Sequence, residues 1–138
     1  MRHQTKLKIR FGDTDMLGHV NNASYFTYME EGRTQFLLDV MGMTSFPLIL
    51  ASAKVDFLAQ TFFGQTLIIE SFISRMGNSS FDITSRMLVD ETNEAVFEGV
   101  ATVVHFNYET QRSERVPDTF RRLVADYIEV STKPGAGE

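Results

Sequence analysis

The sequence has no cysteine among its 138 residues. This absence excludes thiol catalysis, thiolate zinc sites and a disulfide framework, and it agrees with a reducing compartment. The three histidines, His3, His19 and His105, lie far apart in the sequence and show no spacing typical of metal ligands. We therefore expect neither a metal nor a redox cofactor.

An excess of basic residues is also lacking, because 18 acidic residues outnumber 13 basic ones and the net charge is -5. Nucleic-acid binding usually requires a basic surface, so nucleic acid is not an expected partner. No apolar run approaches the roughly 20 residues of a membrane span, and residues 1–15 lack the apolar stretch of a signal peptide. We expect no membrane partner and a cytoplasmic location.

The length and the hydrophobic content of 43% fit one globular domain. The sequence shows no internal repeat and no linker of distinct composition. We predict a single domain over residues 1–130. The remaining residues, 131–138, contain no large apolar side chain and are expected to form a disordered tail.

Five strands are predicted: apolar and polar residues alternate with a period of two in the first two segments, and three further strand-like runs follow, separated by turn formers. In the first, Leu7, Ile9 and Phe11 are expected on the buried side. The apolar last strand is expected at a sheet edge, where a second copy of the chain would cover it. The turn formers between the last three strands indicate an antiparallel meander. The strands are predicted at residues 4–11, from residue 47 onward with Ala51, Ala53, Val55 and Phe57 on one face, and at 66–76, 79–90 and 94–106.

A long amphipathic helix is predicted over residues 23–41, between the first two strands. One third of its helical wheel is apolar and carries Tyr25, Met29, Gly32, Phe36 and Val40. Asn21 or Asn22 suits the N-cap, and Gly42 suits the left-handed position after the helix. Gly32 lies within the apolar stripe, so we expect a sheet to pack closely against it.

A short closing helix is predicted after Pro117. Its apolar residues recur at helical spacing: Phe120, Leu123, Val124, Tyr127 and Ile128. The order of elements predicts an α+β fold in which one long central helix covers most of one face of a five-stranded antiparallel sheet.

The segment GDTDMLGHVNN, directly before the long helix, combines two aspartates, a histidine and two asparagines. Aspartates before a helix are most often caps or turn formers, and a lone histidine is most often structural. However, the first amides of a helix lack intrahelical partners, and a nearby carboxylate would complete a simple site for acyl transfer. The residues alone do not choose between Asp13 and Asp15.

The string RFGDTDMLGHVNNASYFTYMEEGR, residues 10–33, resembles the N-terminal signature of the 4-hydroxybenzoyl-CoA thioesterase-like branch of the hotdog-fold acyl-CoA thioesterases. The later strand order agrees with that family by pattern. The resemblance implies a hotdog fold and an enzyme that hydrolyses an acyl thioester to free acid and coenzyme A. It also implies a homodimer or homotetramer, with the site between subunits and coenzyme A crossing the interface.

The resemblance also implies roles for individual residues. The catalytic carboxylate of the family falls on Asp15, as nucleophile or general base, while Asp13 corresponds to a structural aspartate. The oxyanion donor falls on the backbone amide of Asn22. His19 and Asn21 match residues that line the loop around the acyl carbonyl, and we group His19 with the catalytic residues.

Three apolar side chains are candidate walls for the acyl group, namely Tyr25, Met29 and Phe57, although a plain core role explains them equally well. Coenzyme A phosphates require cations. The candidates on strands are Lys54, Arg75 and Arg86, of which we take Lys54 as substrate-binding, and a solvated sheet face explains all three as well.

The sequence departs from the family where relatives have proline and aspartate, because it has Gln60 and Gln65 there. We expect these two residues to affect the loop beside the substrate channel rather than the chemistry. In the helix signature, Arg33 is expected to form a structural pair with Glu30.

Two other functions are compatible with a hotdog fold. One is a non-catalytic acyl-CoA binding protein, which needs no acid at position 15. The other is a hydratase or dehydratase, whose D-x-x-x-x-H spacing matches neither Asp15 and His19 nor Asp13 and His19. The acyl chain stays open, and an acyl carrier protein is an alternative to coenzyme A.

Overall fold

The computed structural model describes residues 1–42 and 47–130. The tail predicted at residues 131–138 lies outside the described residues, so its disorder and the domain limits stay predictions. The elements in chain order are β1 (His3–Lys8), a 3-10 turn (Phe11–Asp13), α1 (Asn22–Met41), β2 (Leu48–Phe57), β3 (Thr66–Met76), β4 (Ser80–Val89), β5 (Ala95–Asn107), β6 (Arg112–Ser113), α2 (Asp118–Leu123) and a second 3-10 turn (Ala125–Tyr127).

The sheet is antiparallel, with strand order β1-β3-β4-β5-β2, and the two-residue strand β6 pairs with the end of β5. The helix α1 packs across one face of this sheet. Side chains from the helix and from β3, β4 and β5 form one apolar core, whose largest fully buried members include Tyr28, Phe36, Phe81, Phe97 and Ile69. The predicted α+β arrangement of a hotdog fold is confirmed.

Both predicted ends of α1 are confirmed. The side chain of Asn21 accepts a 3.0 Å hydrogen bond from the amide of Ala23, and Gly42 adopts the left-handed conformation with φ of 66°. Gly32 allows the predicted close approach, because a Cβ built there would lie 2.6 Å from Cγ2 of Ile69 on β3. The sequence therefore determines where the helix begins, ends and meets the sheet.

Two expectations about the strands are wrong. Strand β1 ends at Lys8, and Phe11 is 77% exposed because the chain turns into a 3-10 helix at that residue. Strand β5 is not an edge strand, since it lies between β4 and β2. The edges are β1 and β2, and on β2 only Val55 of the four residues expected on its buried face is shielded from solvent. Periodicity identifies strands but does not determine which strands pair.

The C-terminal helix is shorter than predicted. Phe120 and Val124 are fully buried, while Leu123 and Ile128 stay largely exposed. The guanidinium of Arg121 donates hydrogen bonds to the carbonyls of Gly77 and Asn78, at 2.8 and 3.0 Å, and so attaches α2 to the β3–β4 hairpin. Within the described ranges, neither helix has the length and apolar character needed to cross a membrane.

Candidate active site

Asp15 lies in the loop between the first 3-10 turn and α1, and its carboxylate is exposed. Oδ1 accepts hydrogen bonds from the amides of Leu17 and His19, at 2.9 and 3.1 Å. The amide of Asp15 donates to the carbonyl of His19 at 2.8 Å, and Gly18 closes the turn with φ of 84°. No group in the described residues donates to Oδ2 of Asp15. The backbone thus orients the carboxylate and leaves one oxygen available.

The backbone amide of Asn22 is the first of α1. The amide of Asn21 donates to the carbonyl of Asp13 at 2.9 Å, and the amide of Ala23 is capped by the Asn21 side chain. Within residues 1–42 and 47–130, no acceptor meets the Asn22 amide. It is a free donor at the positive end of the helix dipole.

Both carboxylate oxygens of Asp13 accept hydrogen bonds, whereas only Oδ1 of Asp15 does. Oδ2 of Asp13 accepts hydrogen bonds from the hydroxyl of Tyr28 at 2.7 Å and from the amide of Arg10 at 3.1 Å. Burial raises the pKa of Asp13, but the bonds from Tyr28 and Arg10 together outweigh it and hold the pKa below its ordinary value. Burial and the bond to Asp13 raise the pKa of Tyr28. Asp13 therefore ties the loop to the helix.

A cleft of about 360 Å³ opens between the Asp15 loop, the first turn of α1 and the end of β2. It brings together five of the eight predicted site residues. The full lining is Asp15, His19, Val20, Asn22, Tyr25, Phe57, Leu58, Ala59 and Gln60.

Three predicted site residues do not line this cleft. Asn21 is the helix cap, and Met29 is only 2% exposed in the core. Phe57 on β2 packs on Tyr25 of α1, so its side chain faces the helix. Side chains alternate between the two faces along a strand, and Lys54, three residues before Phe57, therefore lies on the face away from α1. The other two candidate cations are each paired on the sheet, Arg75 with Asp82 and Arg86 with Glu98.

The segment after β2 forms the second wall of the cleft. The ring of Phe62 contacts that of His19 edge-on, with 5.1 Å between centroids, and the two residues also form a β-bridge. The amide of Val20 donates to the carbonyl of Thr61 at 2.9 Å. Gln60 itself lines the cleft, and its expected effect on the loop beside the substrate channel stays a prediction. Leu58 and Ala59 also line the cleft and were not predicted as site residues, although they directly follow the predicted site residue Phe57.

Tyr25 belongs to both the core and the cleft. Its ring stacks on Phe97 with 5.5 Å between centroids and an interplanar angle of 7°, and it lies 5.6 Å from Phe57. Its hydroxyl shares a 2.5 Å hydrogen bond with the hydroxyl of Thr61. Burial raises the pKa of Tyr25, so this hydroxyl stays protonated at neutral pH. The core role of Tyr25 is confirmed, and its role as a wall for the acyl group stays a prediction.

The predicted pair of Arg33 and Glu30 is present at 3.9 Å along α1, and burial lowers the pKa of Arg33. Among the residues that the structure describes, no cluster of histidine and acidic side chains is arranged to hold a metal ion. The chemical groups of the cleft are thus a carboxylate, an imidazole, amides and aromatic rings.

Residues 9–124 match the sequence profile of the Thioesterase-like superfamily, and the chain belongs to this superfamily. Together with the sheet and the central helix, this membership defines the chain as a hotdog-fold thioesterase, an enzyme that hydrolyses thioesters.

Similar proteins include an uncharacterized protein, a long-chain acyl-CoA thioesterase and a predicted thioesterase of known structure. The chain is 31% identical over 112 residues to the uncharacterized protein YsmA of Bacillus subtilis, covering 78% of this chain and 75% of YsmA. It is 22% identical over 130 residues to the long-chain acyl-CoA thioesterase FadM of Escherichia coli, covering 91% of this chain and 98% of FadM. The solved structure of a predicted thioesterase from Bacillus stearothermophilus has a TM-score of 0.87 and 25% identity, covering 95% of this chain and 99% of that chain.

Proposed function

We propose that the chain hydrolyses acyl-CoA esters in this cleft, and that Asp15 and the backbone amide of Asn22 carry the reaction. One observation supports this most strongly. The same cleft is lined by a carboxylate whose Oδ2 has no donor among the described residues and by a helix-start residue whose amide has no acceptor there. Thioester hydrolysis requires one group of each kind.

Two routes use these groups. In the first, Oδ2 of Asp15 attacks the thioester carbonyl, the coenzyme A thiolate leaves, and water hydrolyses the mixed anhydride that results. In the second, Asp15 takes a proton from a water molecule that attacks the carbonyl directly. Each route consumes one water and yields the free acid and coenzyme A. In both, the Asn22 amide donates to the carbonyl oxygen as negative charge develops on it.

The other residues of the site support these two groups. His19 holds Asp15 through its backbone amide and carbonyl. Tyr25 and Phe57 form the apolar wall for the acyl group. Asn21 fixes the start of α1, and Met29 packs behind the wall in the core. Lys54 does not line the cleft because it lies on the other face of the sheet.

Coenzyme A is the proposed carrier, which the similarity to a long-chain acyl-CoA thioesterase supports. The motif at residues 10–33 supports a place in the 4-hydroxybenzoyl-CoA thioesterase-like branch. A homodimer or homotetramer is proposed because the edge strand β2 and the chain after it expose Leu50, Phe57 and Leu58. The cytoplasmic location stays a prediction from the sequence.

A panel of aromatic, short branched and long aliphatic acyl-CoA esters, with an acyl carrier protein thioester beside them, tests this function. We expect at least one ester to release free thiol and free acid in equal amounts. Stabilisation of the protein against heat by an acyl-CoA ester, without thiol release from any ester, would indicate a binding protein instead. Hydration of crotonyl-CoA without thiol release would indicate a hydratase.

A further inference from the structure

We propose that Thr61 is a positioning residue for the reaction. It holds the start of α1, and with it the Asn22 amide, against the segment after β2 that forms the second wall of the cleft. This inference rests on the proposed function of Asn22 as the oxyanion donor. Thr61 itself does not line the cleft, although Ala59 and Gln60 directly before it do.

The contacts of Thr61 reach two walls of the cleft. The residue is fully buried. Its carbonyl accepts the hydrogen bond from the Val20 amide, at 2.9 Å, and its hydroxyl shares the 2.5 Å bond with the hydroxyl of Tyr25. Thr61 is therefore bonded both to the loop that carries Asp15 and to the first turn of α1.

These two contacts fall on either side of Asn22, two residues before it and three residues after it in the sequence. The Asn22 amide has no acceptor in the described part of the chain, and its peptide unit is held to the helix start and to the loop, because the Asn21 carbonyl accepts from the Ser24 amide and the Asn21 amide donates to the Asp13 carbonyl. Its place relative to the second wall depends on how its neighbours Val20 and Tyr25 are held. Thr61 holds both of them.

The hydroxyl pair is the part of this connection that a side-chain substitution can remove. A buried hydroxyl without a partner is unfavourable, so Tyr25 would shift to find water in the adjacent cleft if the Thr61 hydroxyl were lost. Because Tyr25 is in the first turn of α1, such a shift moves the helix start. Oxyanion donors act only within a narrow range of distances, so a small displacement lowers the rate of the chemical step.

The test compares Thr61→Val with Thr84→Val. Both residues are buried, and Thr84 also shares its hydroxyl with a second hydroxyl, donating to Oγ of Ser74 at 2.7 Å. Thr84 lies on β4 and outside the cleft. Both variants lose a bond of the same kind and should lose similar stability. We expect only Thr61→Val to lower kcat, by about 10- to 100-fold, with KM changed by a few fold at most.

Two further variants separate positioning from stability. Thr61→Ser keeps the hydroxyl and should restore most of kcat. Tyr25→Phe removes the same hydrogen bond from the helix side. Because Tyr25→Phe and Thr61→Val break one shared bond, the kcat of the double variant should be no lower than that of the less active single variant. Failure of Thr61→Ser to restore kcat, or an equal fall in kcat in Thr84→Val, would overturn the proposal.

Backbone amide hydrogen exchange gives a readout that does not need turnover. In Thr61→Val, the hydrogen-bonded amides of residues 19–21, 23 and 24 should exchange faster than in the wild type, and in Thr84→Val they should not. Unchanged exchange in Thr61→Val would overturn the positioning role. If the wild-type chain released no thiol while this exchange result held, the proposed function would fail and the mechanical link from Thr61 to the helix start would stand.

Discussion

The hydroxyl of Tyr28 donates a 2.7 Å hydrogen bond to Oδ2 of Asp13, at the point where the loop meets the buried face of α1. Tyr28 is 1% exposed, so the donor of this bond lies in the core, while the Asp13 carboxylate that accepts it is only partly buried. The carbonyl of Asp13 also accepts from the amide of Asn21 and from the hydroxyl of Ser24. Two aspartates that are separated by one residue therefore have different tasks: Asp13 is bonded into the fold, and Asp15 keeps an oxygen available.

Tyr28→Phe tests the contribution of this bond to stability. It removes the hydroxyl and leaves the ring in place, so the half-buried Asp13 carboxylate loses its donor from the helix. We expect the free energy of unfolding to fall by about 1–3 kcal/mol, because the bond joins a charged acceptor to a buried donor. Urea unfolding followed by circular dichroism measures this fall. Wild-type stability in Tyr28→Phe would contradict the structural role.

Asp13→Asn tests the pH dependence of the same contact. The pKa of Asp13 in the folded chain lies below its ordinary value of 3.8, so its charged form stabilises the fold above that value. This stabilisation is lost as the pH falls through the lower folded pKa. We expect the wild type to be more stable than Asp13→Asn at neutral pH, with the difference shrinking as the pH falls below about 4. A difference that stays constant would show that the charge of Asp13 is not involved.

Gly32→Ala tests the packing of α1 on the sheet. Alanine favours a helix over glycine by about 1 kcal/mol, but the new Cβ would lie 2.6 Å from the fully buried Ile69. We expect overpacking to win and to lower the free energy of unfolding by about 1–2 kcal/mol net. The exposed position Thr34, on the same helix, is the control, where Thr34→Ala should leave stability unchanged or raise it. A stabilised Gly32→Ala would contradict the close approach.

Asn22→Pro tests the oxyanion donor. Proline is tolerated at the first position of a helix, and Asn21 already has the extended conformation, φ of -70° and ψ of 144°, that a following proline requires. The substitution thus removes one amide proton that has no acceptor in the described residues. We expect an intact fold by circular dichroism and a fall in kcat of about 10²- to 10³-fold. Asn22→Ala, which keeps the amide, should stay within a few fold of the wild type. Equal turnover of the two variants would exclude this amide.

Much of the fold was predictable because local signals agree. A period of two marks the first two strands, and turn formers separate the three strand-like runs that follow. The cap at Asn21, the close approach at Gly32 and the stop at Gly42 all follow from residue type. The pairing of β2 with β5 was not predictable, since nothing local on either strand specifies its neighbour. The exposure of Phe11 was missed because a 3-10 turn ended the alternation early.

The site was predictable where it is continuous in sequence. Asp15, His19 and Asn22 lie within one loop and one helix start, and the family resemblance distinguished Asp15 from Asp13. Lys54 lies outside the cleft, and its role toward the coenzyme A phosphates stays a prediction, because alternation fixes which residues share a face but does not say which face meets a substrate. Thr61 was missed because its contacts with Val20 and Tyr25 join segments about 40 residues apart, and only folding brings them together.

The most direct test of the proposed mechanism is the kcat/KM of Asp15→Asn on the best acyl-CoA ester of the panel. Asp126→Asn, which neutralises an exposed carboxylate outside the cleft, is the matched control and should behave as the wild type. Asparagine keeps the shape of the side chain but neither attacks the carbonyl nor accepts a proton from water. We expect a loss of about 10²-fold or more with an unchanged melting temperature. Activity of Asp15→Asn within a few fold of the wild type would contradict the account.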